Sequence, residues 1–154
     1  MLPFGNTTNS LFMNTRVLLA AALGGVVAFL FGWLLFGILL MGTMSAYMVP
    51  YEGLMKGADM NYGLLFLSNL CLALLPAWLG DRMKVYNALG GLFMAATVGF
   101  LFYASVDLGF LSMMNRFTSP QGALVDVLAN TVWLAGTGAA VGWMLGRGAP
   151  QANA

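Results

Sequence analysis

The chain has 154 residues, 60% of them hydrophobic and only 7% charged, with a formal net charge of +1 and a mean hydropathy of +0.85. A soluble domain carries about a quarter charged residues, so this chain lacks the polar surface to stand in water and is expected to live in a lipid bilayer. The near-zero charge and the lack of any basic run argue against a nucleic-acid partner, and the absence of histidine removes the commonest general base and metal ligand. Cys71 is the single cysteine and reads as a small buried apolar residue. No metal, cofactor or enzymatic activity is expected from these residues.

Residues Met1–Thr15 are polar and are expected to be disordered or interfacial. Met13 offers an alternative start, and Asn6-Thr7-Thr8 matches a glycosylation sequon that a chance match explains as well. From Val17 to Met44 no residue is charged. A bilayer core of ~30 Å needs about 20 helical residues, so this run supplies a complete first span, too long for a cleaved signal peptide. Ala20, Gly24, Ala28 and Gly32 form a stripe of small residues on it, open to a partner, and Trp33 is expected to pack against neighbouring helices. Residues Ser45–Asn61 carry prolines, glycines and charges and read as an interfacial loop, with Tyr47 and Tyr51 at headgroup level and Tyr51–Met60 as a short helix lying on the membrane.

A second span is expected over Tyr62–Leu79, with Asn69 inside it and Pro76 kinking its last turn. The short charged loop Gly80–Lys84 makes spans two and three antiparallel neighbours. The third span covers roughly Asn87–Met114 and the fourth Ala123–Leu145, followed by a polar tail. The fold expected is all-α, with four transmembrane helices in an up-down bundle, one domain, and both termini on the same side. Arg16, Arg82, Lys84 and Arg147 share that side against Lys56 and Arg116 on the other, which places both termini in the cytoplasm by the positive-inside rule. Gly24-Gly25 and Gly90-Gly91 each sit near the start of a two-span half, a pattern that a duplicated hairpin would leave.

Two ladders of residues four apart dominate the second half. Gly91, Ala95, Gly99, Tyr103 and Asp107 recur on the third span; Asp126, Asn130, Leu134, Gly138, Gly142 and Gly146 recur on the fourth. Such residues are neighbours on a helix surface, and small ones let membrane helices approach closely. Folding the chain at Asn115–Gly122 sets Asp107 opposite Asn130, Tyr103 opposite Leu134, Gly99 opposite Gly138, Ala95 opposite Gly142 and Gly91 opposite Gly146.

Asp107, Asn69 and Asn130 are each eight residues in from the expected outer ends of their spans, roughly 12 Å deep. They form a candidate polar cluster for a proton or ligand, with Tyr103 and Asp126 one turn away. An ionised carboxylate in hydrocarbon costs at least ~2.5–3.5 kcal/mol, and no Lys or Arg lies within a span to pair with Asp107. Asp107 is therefore expected to be wholly or partly protonated and hydrogen-bonded to Asn130, Asn69 or Tyr103. The plainer alternatives are a structural tie between helices or an interfacial acid near Arg116. Asp126 reads as a helix-start acid favoured by the helix dipole, about three turns from Asp107, and both asparagines as helix glue.

The segment Tyr103-Ala104-Ser105-Val106-Asp107-Leu108, then Phe110-Leu111 and Leu124-Val125-Asp126-Val127, resembles small uncharacterised bacterial membrane proteins of four helices. In those families a Tyr-Ala-x-x-Asp-Leu segment ends the third helix and a Val-Asp pair opens the fourth. The run Gly24-Gly25, Phe29 to Trp33 is similar in style. The resemblance implies a four-helix bundle in a bacterial inner membrane and no specific activity. The leading functional reading is a non-enzymatic structural or interacting membrane component, with the lipid bilayer and a homo-oligomer or membrane protein as partners. A small oligomeric carrier or proton-linked permease using Asp107 is the alternative.

Overall fold

In the computed structural model, which describes residues 15–147, the hydrophobic runs become helices whose ends are set by local polar chemistry. The order is α1 (Thr15–Leu34) with a π turn (Leu35–Leu39), α2 (Met41–Tyr47), a 3-10 turn (Gly57–Asp59), α3 (Tyr62–Arg82), α4 (Ala88–Met113) and α5 (Pro120–Arg147). Four helices are long and apolar enough to cross a membrane: Thr15–Leu39, Tyr62–Arg82, Ala88–Met113 and Pro120–Arg147. The alternative start at Met13, the sequon at Asn6 and the tail after Arg147 lie outside the described residues.

Asparagine side chains start two of these helices, satisfying N–H groups that the first turn leaves open. Asn61 Oδ1 accepts from Leu64 N at 3.0 Å and Asn87 Oδ1 from Gly90 N at 2.7 Å. The fourth span begins at Pro120 rather than Ala123. Proline suits a first helical position, because its missing N–H would be unsatisfied there and its φ is already helical. α3 continues through Pro76 to Arg82, past the expected end at Leu79.

The uncharged run at the start is not one helix to Met44. Leu40 N reaches back five residues to Leu35 O at 2.8 Å, and at Leu40 the chain leaves the helix with φ −105° and ψ 1°. Residues Thr15–Leu39 already extend about 37 Å, more than a bilayer core, so the rest is free to turn. The expected membrane-lying helix over Tyr51–Met60 reduces to the 3-10 turn Gly57–Asp59. Gly53 and Gly57 both adopt positive φ, 75° and 57°, a conformation that breaks a right-handed helix.

α5 is the centre of the bundle. It packs along α4 on one side and against α1 and α3 on the other, while α4 touches α3 only lightly. Between α1, α3 and α5 lies an apolar core of Val17, Ala20, Ala21, Ala77, Val141 and Leu145. The small stripe of α1 is consumed in this core instead of awaiting a partner. A Cβ on Gly24 would fall 2.6 Å from Val141 Cγ2 and 3.2 Å from Ala73 Cβ, and Ala20 and Ala28 are fully buried. Gly32 makes room for Trp133, whose indole N–H donates to Ala28 O at 2.8 Å. Trp33, expected to pack, is exposed; Trp133 takes that part. Cys71 is also exposed, in an apolar groove beside Leu18, Leu67 and Leu74.

The two connections at one end of the bundle are tied together. Met48 and Phe117 form an antiparallel bridge, Val49 N donates to Arg116 O at 3.0 Å and Thr118 N to Tyr47 O at 2.8 Å. Tyr51 Oη donates to Asn115 O at 2.6 Å. Residues 46–51 therefore strap the α4–α5 turn. At the opposite end Arg16 meets Asp81 at 3.5 Å and lies 4.4 Å over the Tyr86 ring, while Arg147 stacks 3.8 Å over Trp143.

Candidate functional site

The α4–α5 turn is only residues 114–119, because Pro120 starts the fourth span early. That shortening moves the fold-back point and slides the two ladders by one helical turn from the expected register. Gly91 lies against Gly138 and Gly142, not Gly146. Ala95 meets Gly138, Gly99 meets Leu134, and Gly146 faces Tyr86 at the start of α4. The backbones come so close that a Cβ on Gly91 would meet Gly138 O and stand 2.9 Å from Gly142 Cα.

The same slip rearranges the polar rungs. Asp107 faces Asp126 rather than Asn130, and the two carboxyl groups lie within interaction range of each other. Each lies six residues in from its helix end, Met113 or Pro120, about 9 Å down. Asp107 is 2% exposed and Asp126 7%. Asp107 is thus not three turns from Asp126, and Asp126 stands beyond the first turn of α5 instead of at the helix start.

The hydrogen bonds expected for Asp107 from Asn130, Asn69 or Tyr103 are not formed. Asn130 Nδ2 donates to Asp126 O at 2.9 Å and Asn69 Nδ2 to Leu65 O at 2.7 Å. Each amide serves a carbonyl of its own helix four residues back, the common fate of short polar side chains within helices. Asn69 is buried on α3, which barely reaches α4. Tyr103, one turn from Asp107 along α4, lies within electrostatic range of both carboxyls and packs edge-on to Phe102. Asp107 Oδ2 is buried and meets no donor.

Arg116 is the nearby cation, within Coulombic range of Asp107. Its guanidinium lies 4.7 Å from the Phe110 ring centroid and 5.4 Å from that of Phe117. Tyr47 covers Gly122, one turn above Asp126: a Cβ there would fall 2.9 Å from Tyr47 Cβ. The strap, Phe110 and Phe117 thus cap the end at which the acid pair lies. The pairing of the two turns had no marker in the sequence. Ser119-Pro120 did mark the helix start, and reading it would have brought Asp107 to Asp126.

Among the described residues no group of three or more His, Cys, Asp or Glu side chains is arranged to hold a metal ion. Comparison with known proteins gives no matching family model, curated protein or solved structure. The likeness to small bacterial membrane proteins is therefore carried no further than architecture, four apolar helices in a bundle.

Proposed function

We propose that this chain is a non-enzymatic integral membrane component whose α4–α5 hairpin, packed through glycine, carries a proton-binding acid pair. The observation that carries the reading is the buried contact of Asp107 with Asp126, in which Oδ2 of Asp107 has no donor. Two ionised carboxylates offer only acceptors and repel each other strongly away from water. One shared proton turns the contact into a hydrogen bond and relieves the repulsion, as in other coupled carboxyl dyads. Acids inside a membrane are costly, and a pair of them is a functional candidate before it is a structural tie. The absence of histidine supports a non-enzymatic role. The resemblance and the distribution of Arg16, Arg82, Lys84 and Arg147 support a bacterial inner membrane with cytoplasmic termini.

The test is thermal unfolding in lipid nanodiscs of wild type and Asp107→Asn from pH 5 to 9. A proton held by the folded pair makes stability depend on pH, by at most ~1.4 kcal/mol per pH unit, or roughly 3–6 °C in Tm for a chain of this size. The gap between wild type and variant should therefore change with pH. A gap that stays constant throughout refutes proton binding and returns Asp107 to a structural role.

A carrier built on the same pair is the second reading, favoured by the exposure of α4. Leu89, Phe93, Phe100, Leu101 and Leu108 all face away from the bundle, leaving a side on which another copy can pack. Four helices make a thin wall around any path, so a carrier requires an oligomer. Crosslinking in lipid that yields only monomer counts against it.

A further inference from the structure

We propose that Arg116 is the exchangeable counter-ion of the acid pair: it rests on Phe110 and Phe117 while a proton bridges Asp107 and Asp126, and turns onto Asp107 when that proton leaves. The inference rests on the proton-binding reading and adds what replaces the proton. Two orphaned atoms motivate it. Asp107 Oδ2 is a buried acceptor without a donor, and Arg116 Nε is a buried donor without an acceptor. Phe110 follows Asp107 by three residues on α4, one turn along the same face. The guanidinium, 4.7 Å from the Phe110 ring centroid, is the cation within Coulombic range of Asp107.

The resting place is a cation–π site, which holds the charge through the ring faces and leaves Nε without an acceptor. The backbone of Arg116 is pinned, since its carbonyl accepts from Val49 N at 3.0 Å and Phe117 pairs with Met48. The exchange is therefore assigned to the side chain, with the strap left closed. The proton passes to water, Nε–H becomes the donor to a carboxylate oxygen, and no covalent bond of the guanidinium changes. Other groups near the pair are few. Tyr103 faces it from α4, and Arg116 from the α4–α5 turn. In α1 and α3 the charged residues Arg16, Asp81 and Arg82 all lie at the opposite end.

The experiment uses the full chain in lipid nanodiscs with nitrogen-15 arginine, the Arg116 signal being assigned by its loss in Arg116→Lys. Magic-angle-spinning NMR follows the Arg116 Nε resonance against pH, and the protonated-carboxyl infrared band follows the pair. The expected result is that both change over the same pH interval, and that the Nε change disappears in Asp107→Asn. Asp126→Asn provides the same comparison should the first variant fold poorly. An Nε resonance that stays fixed while the carboxyl band titrates overturns the exchange and leaves proton binding standing. An Nε change that persists in both variants also overturns it. A carboxyl band indifferent to pH removes the proton-binding reading, and the exchange with it.

Discussion

Gly91→Ala is the sharpest perturbation of the α4–α5 contact. The added methyl would meet Gly138 O, with Gly142 Cα at 2.9 Å and Gly138 C at 3.1 Å. Carbon atoms rest at about 3.5–4.0 Å, so the helices must part locally by roughly 0.6–1.1 Å, and a gap of that size forfeits a quarter to a half of each contact's attraction. Overpacking costs about 1–3 kcal/mol. The upper end applies here because the obstructing atoms are backbone, which cannot rotate away. About 3 kcal/mol is roughly a hundredfold change in the folded-to-unfolded ratio. Gly42→Ala on α2 is the matched control: nothing lies within 4 Å of the new methyl, and reduced freedom of the unfolded chain should stabilise by about 0.5 kcal/mol. Equilibrium unfolding in mixed detergent, read by helix content, gives both values. A Gly91→Ala protein within about 0.5 kcal/mol of wild type would show that the two backbones do not meet at this rung.

Two other changes test the remaining geometry. Trp133→Phe removes the indole donor to Ala28 O, 2.8 Å away, and should cost about 0.6 kcal/mol, with ~1.7 as the ceiling for such bonds in a membrane; unchanged stability in the same assay means the bond contributes nothing. With Cys71 replaced by alanine, Gly99→Cys paired with Leu134→Cys should oxidise to a disulfide, since a Cβ at position 99 would lie 3.1 Å from Leu134 Cβ, near the range of about 3.5–4.5 Å that the bond requires. Gly99→Cys with Gly138→Cys should stay reduced in a thiol-labelling assay. Crosslinking of the second pair but not the first would reinstate the register centred at Asn115–Gly122.

The composition and the apolar runs made the bundle legible, because burying backbone polar groups in lipid leaves few alternatives to helices. The ladders were legible too, since small residues four apart mark a face whichever helix opposes it. The register was not, because it depends on where the turn ends. Ser119, Pro120 and Gly122 look like loop residues by composition, yet Pro120 opens α5. That displacement of one turn exchanged Asn130 for Asp126 as the partner of Asp107. The small stripe of α1 was visible, but its occupant was not. Ala20, Gly24 and Ala28 would read the same against a second protein as they do against Val141 and Ala73. The bridge between Met48 and Phe117 joins residues far apart in the chain, with no local pattern to announce it.

The central place of α5 also sets an order of events during synthesis. α1 and α3 can settle on one another as soon as both are in the bilayer, but α4 has almost no partner except α5. The 28 residues of α5 take about one to six seconds to translate at ordinary rates. For that interval α4 waits in lipid with its Gly91-Ala95-Gly99 groove open and Asp107 unmatched. A premature stop early in α5 thus leaves an inserted three-helix chain, with an acid and a close-packing surface turned toward its neighbours. Such a product is suited to clustering, and completion of α5 is what closes the groove of α4.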